Sequence, residues 1–279
     1  MFENVENRRS VFRSEAPLCP VTDNHTIIGR DEEIQQIAKT VEPLAQGKDP
    51  DSLLVYGPPG VGKTSCVGQV LEKLEEQTRI ETVEINCWQY NTRSSLLTQL
   101  LIELGFPAPR KGLSIDELVA RITEWLDKNR GCAIVLDEFD QLNESGKIVY
   151  DLQEIRQNAQ KPLGLVIILN ECEPMSDLDP RCRSRLSYEA VEFEPYDADQ
   201  LELILEERAE AAFRTGAVSD EVLSLIARNV AEENGDCRKA LNLLLRAGRN
   251  ADQEGGSSVS QMHIPQISNP DLQPSATKG

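Results

Sequence analysis

The sequence predicts an α/β protein with a five-stranded parallel sheet, followed by a smaller part made only of helices. Two observations lead to this prediction. Between residues 53 and 193, short apolar runs alternate with helical periodicities, which is the pattern of a parallel sheet covered by helices. Beyond Pro195 only helical periodicity remains. A chain of 279 residues is long enough to hold both parts.

Each element of the α/β part rests on its own local signal. Asp31, Glu32 and Glu33 open a helix, because acids suit the positive end of a helix dipole. Apolar residues at i, i+3, i+4 and i+7 predict two further helices, one containing Val67, Val70, Leu71 and Leu74, the other Ile115, Leu118, Val119 and Ile122. The apolar runs predict strands at residues 52–56, 80–86, 132–136, 164–169 and 188–193.

The domain organisation follows from these patterns. Three helical periodicities follow Pro195, and Asp236 is suited to cap the third of them. From Glu254 onward the chain is rich in Gly, Ser, Pro, Gln and Asn without apolar periodicity, which is typical of a flexible tail. We therefore expect an N-terminal extension (1–20), a base domain (21–194), a helical lid (195–253) and a tail (254–279).

The composition is strongly acidic, with 47 Asp and Glu against 29 Lys and Arg and a formal net charge of −18. Such a charge is unusual for a protein that contacts DNA, so two interpretations stay open. Either the chain does not bind nucleic acid, or it works in concentrated salt, where repulsion is screened. The second interpretation predicts a halophilic archaeal protein.

Several other classes of protein are disfavoured by the sequence. The seven cysteines form no C-x-x-C pair and the two histidines lie far apart, so no zinc-ligand spacing is present. A basic segment followed by an apolar stretch is absent from the start, and no apolar run is long enough to span a bilayer. We expect no membrane contact and a cytoplasmic location.

A phosphate-binding loop is the most specific motif of the sequence. Residues 57–64 read G-P-P-G-V-G-K-T, which fits G-x-x-x-x-G-K-[ST], between a predicted strand and a predicted helix. In such a loop Lys63 reaches the β- and γ-phosphates of a nucleotide and Thr64 binds Mg²⁺. The alternative is an ordinary glycine-rich turn. The predicted nucleotide contacts are Pro58, Gly60, Val61, Gly62, Lys63, Thr64 and Ser65.

Polar residues follow two later strands at their carboxyl ends. Asp137 is expected to help bind Mg²⁺, and Glu138 to act as general base toward the attacking water. Asn170, after the next strand, is assigned to orienting that water. Taken alone, the acids could cap a helix and Asn170 could form a turn.

Two arginine positions complete the predicted site. Arg238, at the start of the third lid helix, is suited to sense the γ-phosphate, and the alternative is a solvated helix start. Arg181, Arg183 and Arg185 form a cluster before the last strand. Arg185 is expected to act as an arginine finger on the ATP of a neighbouring subunit, and the alternative is a salt-bridged surface.

Taken together, these motifs resemble the archaeal initiators of the origin-recognition and cell-division-cycle-six type, within the AAA+ superfamily. The resemblance covers about residues 10 to 252 and rests on the phosphate-binding loop and on four further segments, namely Asn24 to Ile34, Val135 to Asp140, Leu178 to Leu186 and Gly235 to Leu241.

The resemblance implies an ATP-switched ATPase acting in replication initiation with ATP and Mg²⁺. It places Thr26 to Arg30, including Ile28 and Gly29, near the adenine, and makes Asn170 sensor one and Arg238 sensor two. It implies origin duplex DNA, head-to-tail contact with other initiator subunits, and the replicative helicase as partners.

In such initiators a helical insertion after the second strand contacts DNA. Here the insertion would fall within residues 92–112, with Arg93, Arg110 and Lys111 as phosphate contacts and residues 106–109 as a wedge. The alternative is a surface loop that caps a leucine cluster. Trp88 and Tyr90 are interpreted as core residues rather than as base-stacking groups.

One feature departs from the family pattern. Its members continue into a C-terminal winged-helix domain, whereas this chain stops at Gly279 after a polar segment too short to form one. A second hypothesis is therefore an ATP-dependent partner or regulator of full-length initiators that does not itself grip DNA. A clamp-loader-like ATPase should show a further helical collar, and no such pattern follows the lid.

Overall fold

The computed structural model describes residues 10–19, 27–107, 112–171 and 186–265. The chain divides into two compact units. One runs from Ile27 to Pro195 and holds the sheet. The other combines Met1–Thr26 with Tyr196–Gly279 and is helical in the part described. The chain therefore enters and leaves the sheet unit once.

The sheet unit contains five parallel strands in the order β2-β3-β4-β1-β5, which confirms the predicted fold class. Every strand agrees with the sequence prediction to within one residue at each end. β1, the strand that precedes the phosphate-binding loop, lies between β4 and β5 rather than next to β2. Both of its neighbours come from distant parts of the chain. The strands are β1 (Ser52–Tyr56), β2 (Glu81–Asn86), β3 (Cys132–Asp137), β4 (Leu163–Leu169) and β5 (Tyr188–Glu192).

Helices cover both faces of the sheet, so that its three central strands, β1, β3 and β4, are buried from two sides. On one face α1 (Asp31–Ala45) and α2 (Lys63–Thr78) pack over β1, β3 and β4. On the other, three helices enclose a second and larger core, namely α3 (Arg93–Glu103), α4 (Ile115–Lys128) and α5 (Ser145–Asn158).

The segment predicted as a DNA-contacting insertion is largely a core helix. α3 begins after a capping box at Thr92, and its leucines are fully buried against β2, α4 and α5, namely Leu96, Leu97, Leu100 and Leu101. The interpretation as a surface loop is therefore also wrong for residues 93–103. In the connection between α3 and α4, residues 104–107 and 112–114 form no helix or strand, and residues 108–111 lie outside the described residues.

The helical unit consists of α6 (Ala198–Ala212), α7 (Asp220–Glu233) and α8 (Cys237–Glu254). The predicted Asp236 cap is present, since its carboxylate accepts hydrogen bonds from the backbone N–H groups of Arg238 and Lys239. A capping box at Asp197 likewise starts α6.

The N-terminal segment, residues 10–19, is part of this helical unit and not a separate extension. The Ser10 hydroxyl and the Val11 N–H both donate to the Asp252 carboxylate, at 2.5 and 2.7 Å. The Phe12 ring stacks on Phe213 with 4.5 Å between centroids. This segment carries too few apolar residues for a periodic signal, which is why the sequence pattern missed its packing.

The predicted tail also begins too early. α8 extends through Glu254, and Val259 and His263 are buried beyond it. The Val259 N–H donates to the Ala217 carbonyl at 2.7 Å. Two buried side chains in a polar segment give no periodicity, so sequence alone could not separate packed residues 255–265 from a tail. Residues 266–279 lie outside the described residues.

In the described part of the chain, no helix combines the length and apolarity needed to cross a bilayer.

Gly248 offers a test of the packing between the N-terminal segment and α8. A Cβ at this position would lie 2.3 Å from the Phe12 ring and 2.7 Å from the Phe213 ring. We expect Gly248→Ala to destabilise the helical unit by about 1 to 3 kcal/mol through overpacking, seen as a lower midpoint in thermal unfolding. Gly68→Ala is the matched control, because a Cβ in that helical position meets nothing within 4 Å. It should stabilise slightly. Equal midpoints for the two variants would contradict the packing.

Candidate functional site

The phosphate-binding loop lies between β1 and α2 with the backbone conformation that its glycines allow. Gly57, Gly60 and Gly62 all have positive φ angles, of 145°, 78° and 93°. A Cβ at Gly57 would lie 2.2 Å from the Phe193 carbonyl oxygen, so this position requires glycine. α2 starts directly after Gly62, which directs the positive end of the helix dipole toward the loop.

Lys63 is buried inside this loop. Its amino group donates to the carbonyl oxygens of Gly57 and of Pro58, the latter at 2.8 Å. It also donates to Asn170 Oδ1 at 3.3 Å. The first residue after β4 therefore lies beside the loop that follows β1, as expected for the ends of neighbouring parallel strands.

Thr64 and Asp137 meet at the same edge of the sheet. The Thr64 hydroxyl donates to Asp137 Oδ2 at 3.0 Å. Asp137 is the last residue of β3, and Thr64 lies in the first turn of α2. A hydroxyl and a carboxylate side by side are the hard oxygen donors that Mg²⁺ prefers.

Glu138 follows Asp137 in an unusual backbone conformation. Its φ and ψ are 55° and 42°, in the left-handed region that non-glycine residues seldom adopt. Its N–H donates to Asp137 Oδ1 at 2.9 Å, and its Oε2 accepts from Asn86 Nδ2 at 3.1 Å. The Glu138 carboxylate is thereby fixed relative to Asp137.

Asn86 is a residue of this site that the sequence patterns did not single out. It ends β2 and pairs in register with Asp137 of β3. The signal available was the same as for Asn170, a polar amide at the end of an apolar strand. What the sequence could not reveal is that β2 neighbours β3, because strand order is a property of the whole sheet.

These residues fit a magnesium nucleotide. The glycine conformations leave backbone amides available to phosphate oxygens, Lys63 supplies a cation, and Thr64 with Asp137 supplies the oxygen donors. The described residues therefore contain the loop, cation and metal-binding groups that a bound Mg²⁺·nucleotide needs.

The segment predicted near the adenine is fixed by Arg30. The Arg30 guanidinium is buried, pairs with Glu33 at 2.7 Å, donates to the Glu194 carbonyl at 2.5 Å and lies 5.2 Å from the centre of the Phe193 ring. These contacts join the start of α1 to the end of β5, and they hold Ile28 and Gly29 next to that junction. Their contact with the base stays a prediction.

Three further residues of the predicted site keep their roles as predictions. Arg238 is exposed in the first turn of α8, in the helical unit, and its role toward the nucleotide stays a prediction. Thr26 and Arg185 lie outside the described residues, as do Arg181 and Arg183.

Of the three residues predicted to contact DNA, the structure describes Arg93. Arg110 and Lys111 lie outside the described residues. Arg93 does not present a free cation, because its guanidinium makes two hydrogen bonds of 2.6 Å to the buried Asp151 carboxylate. Those hydrogen bonds raise the pKa of Arg93. The pair joins α3 to α5, so the Arg93 guanidinium is engaged within the protein, and its contact with DNA stays a prediction.

The interpretation of Trp88 as a core residue is wrong. Its side chain is 66% exposed, whereas Tyr90 packs against the core beneath β2 as expected. Trp88 lies in the connection between β2 and α3, where the register of an irregular segment cannot be derived from a periodic pattern.

Comparison with models of protein families first defines the class of protein to which the chain belongs. The model of an AAA domain matches residues 46–173, and the model of a Cdc6 AAA+ ATPase-type lid domain matches residues 202–268. The first range holds Lys63, Thr64, Asp137 and Glu138, and the second holds Arg238. The fold is that of an AAA+ ATPase.

Individual relatives narrow this class. The chain is 36% identical to an ORC1-type DNA replication protein of Pyrococcus abyssi over 95% of its own length and 66% of the relative's. A second such protein, from Methanosarcina acetivorans, is 31% identical with the same coverage. Among solved structures, Aeropyrum pernix ORC1 in complex with DNA is similar with a TM-score of 0.82 and 32% identity, covering 91% of this chain and 68% of that one. Pyrobaculum aerophilum Cdc6p follows with a TM-score of 0.81, 25% identity and coverage of 90% and 69%.

The chain belongs to the family of ORC1-type DNA replication proteins. It spans about two thirds of the length of the curated relatives it matches. These relatives come from thermophiles and methanogens, and they give no support to the interpretation of the acidic composition as adaptation to high salt.

The cysteine thiols around the site provide a test of its burial. Desolvation raises the pKa of Cys66, in α2, and of Cys87, after β2, to about 12, and the carboxylates of Asp137, Glu138 and Asp140 contribute at Cys87. Since the thiolate is the reactive form, neither should be alkylated by iodoacetamide at pH 8 in the folded protein. Cys19 and Cys237 are partly exposed and should react. Peptide mass mapping measures this, and labelling of Cys66 as fast as Cys19 would contradict the structure.

Proposed function

We propose that the chain binds and hydrolyses ATP as a slow switch in the initiation of DNA replication, contributing to origin recognition and helicase loading. The observation that carries the proposal is the convergence of Lys63, Thr64, Asp137 and Asn170 at one edge of the sheet, within hydrogen-bonding distance of one another in pairs. Membership of an ATPase family supports it. We also propose that the base domain ends at residue 194 and that the helical lid begins at residue 195.

Each side chain has a defined part in the proposed reaction. Lys63 neutralises charge on the β- and γ-phosphates, and Thr64 with Asp137 binds Mg²⁺, which lowers the charge on the transferring phosphoryl group. Glu138 accepts the proton of the attacking water, and Asn170 orients that water. The hydrogen bond from Asn86 holds the Glu138 carboxylate in place for this role.

Two arginines extend the site beyond the sheet. Arg238 is proposed to contact the γ-phosphate from the lid and so to distinguish ATP from ADP. Arg185 is proposed to reach the ATP of a neighbouring subunit, which would make hydrolysis depend on head-to-tail association. Other initiator subunits and the replicative helicase are the protein partners of this proposal.

Origin duplex DNA is the proposed nucleic-acid partner, through Arg110 and Lys111. The similarity to an ORC1 protein solved in complex with DNA supports it. A second candidate function, an ATP-dependent partner or regulator of initiators that does not grip DNA, is favoured by one observation. Of the three cations proposed to contact phosphate, Arg93 is bound to Asp151.

The role of Glu138 gives the first test. We expect Glu138→Gln to lower ATP turnover by about 100-fold or more, because the amide cannot accept the proton. ATP affinity should stay within about threefold of wild type, since phosphate and metal contacts remain. The matched control, Lys63→Ala, should lose ATP binding itself. Phosphate release and nucleotide titration measure the two quantities. Turnover by Glu138→Gln at the wild-type rate would exclude the proposed base.

DNA binding distinguishes the two candidate functions. Fluorescence anisotropy of a labelled origin duplex would be followed over a KCl series with ATP and with ADP. The initiator proposal expects ATP-dependent binding that weakens as KCl rises, with a salt slope reduced by about one in Arg110→Ala or Lys111→Ala. Lys73→Ala, on the exposed side of α2, is the control and should keep the wild-type slope. Absence of ATP-dependent binding at every KCl concentration would support the regulator instead.

A further inference from the structure

A groove of about 500 Å³ lies between α4 and α5 in the sheet unit, beside Arg93 at the start of α3. The α4 residues that line it run from Ile115 to Asp127, which is about 18 Å along a helix that rises 1.5 Å per residue. The α5 residues that line it fall on one side of that helix, at spacings of three and four positions, and are Asp151, Glu154 and Asn158. The groove is therefore elongated, and it suits a ligand that lies along both helices.

The α4 side of the groove is apolar and has short side chains at its middle. Val119 is buried and belongs to the core beneath the groove, and Ile115 packs partly buried against the same core. Ala120 is exposed and Thr123 is half-buried, and both line the groove next to these residues. Because the distance between packed helices depends on the side chains at their contact, short side chains here allow another helix to approach closely.

The lining of the groove is more acidic than the chain as a whole. Five of its eleven residues are Asp or Glu, against 47 of 279 in the full sequence. Two of these five have cationic partners, since Asp151 pairs with Arg93 and Glu124 with Lys128. Within the described residues the other three form no salt bridge, namely Asp116, Asp127 and Glu154. A ligand that is complementary to the groove therefore carries positive charge.

The spacing of the acids indicates an extended cationic ligand rather than a single ion. Asp116 and Asp127 are about 16 Å apart along α4 at the rise of a helix. Among the described residues, no group of three or more His, Cys, Asp or Glu side chains could hold a metal ion. Nucleic acid is repelled by such a lining, and a second copy of the chain has a formal charge of −18. An amphipathic helix with Lys and Arg beside an apolar stripe matches both the charge and the apolar part of the groove.

We propose that the groove between α4 and α5 is a docking site for a basic amphipathic helix of another protein. The apolar stripe of that helix packs over Val119 and Ala120, and its Lys and Arg side chains pair with Asp116 on α4 and Glu154 on α5. The contact surface is small, so the complex is transient, with a dissociation constant on the order of micromolar. None of the residues that line the groove belongs to the proposed nucleotide site, so this inference goes beyond the proposed function and does not rest on it.

The experiment titrates the full chain into a fluorescein-labelled synthetic peptide of Leu and Lys that forms about four turns of amphipathic helix, and follows fluorescence anisotropy. We expect the double variant Asp116→Asn, Glu154→Gln to bind the peptide about tenfold more weakly than wild type. The matched control is Glu72→Gln, Glu76→Gln on the exposed side of α2, which lowers the net charge by the same amount and should bind within about twofold of wild type. Binding to wild type should weaken as KCl rises, because salt screens the attraction.

A second variant tests the apolar part of the groove without changing its charge. Ala120→Gln places a longer side chain at the middle of the groove, and it should weaken peptide binding by about fivefold. Ala38→Gln, at an exposed position of α1, is its control and should bind like wild type. Thermal unfolding of both variants should stay near that of wild type, since both positions are exposed helix positions. A peptide with Ser in place of Leu keeps the charge and should bind wild type at least about tenfold more weakly.

Three results would overturn the inference. Equal weakening by the groove variant and the α2 variant would show that the peptide responds to net charge alone. Equal binding of the Leu and Ser peptides, with Ala120→Gln unchanged, would assign the groove to a flexible polycation such as spermine. Sedimentation velocity of the chain alone gives the third, because self-association that Asp116→Asn, Glu154→Gln abolishes would make a second copy the occupant. The titration contains no nucleotide, so failure of the proposed ATPase function would leave its result unchanged.

Discussion

The hydrogen bond between Thr64 and Asp137 links the two halves of the proposed nucleotide site. Seventy-three positions of sequence separate these residues, and only the parallel sheet brings them together. β4 lies between β1 and β3, so the residues that follow all three strands emerge at one edge. Asn170 reaches Lys63 for the same reason. The strand order therefore decides which side chains can meet a nucleotide.

The strands, the phosphate-binding loop and the helix cap could be predicted from the sequence, because the pattern that indicates each of them is local. Strands buried on both faces are recognisable as short apolar runs, so their bounds were correct to within a residue. The phosphate-binding loop has a fixed spacing, and Asp236 caps its helix as the sequence indicates. In each case the neighbouring residues alone determine the structure.

Most of the features that the sequence patterns did not predict depend on contacts between distant segments of the chain. Asn86 belongs to the site because β2 pairs with β3 in a register that aligns it with Asp137. Arg93 resembles a free cation in the sequence, and its partner Asp151 lies on another helix. Residues 10–19 and 255–265 pack through a few side chains each, too few for a periodicity to reveal.

The charge distribution gives a further constraint on partners. Arg30 and Arg93, two of the 29 Lys and Arg residues, join elements within the sheet unit, Arg30 through the Glu194 carbonyl and Arg93 through Asp151. Cations used in this way leave the surface acidic, which disfavours contact with DNA except where unpaired cations cluster.

The most direct test of the central claim is a double-mutant cycle of ATP affinity with Thr64→Ala, Asp137→Asn and the double variant, measured by calorimetry in Mg²⁺ and in EDTA. If the two side chains bind one metal ion, the losses in Mg²⁺ should be non-additive by about 1 to 3 kcal/mol, and this coupling should largely disappear in EDTA. Additive losses under both conditions would show that Thr64 and Asp137 do not share a metal site, and would contradict the account.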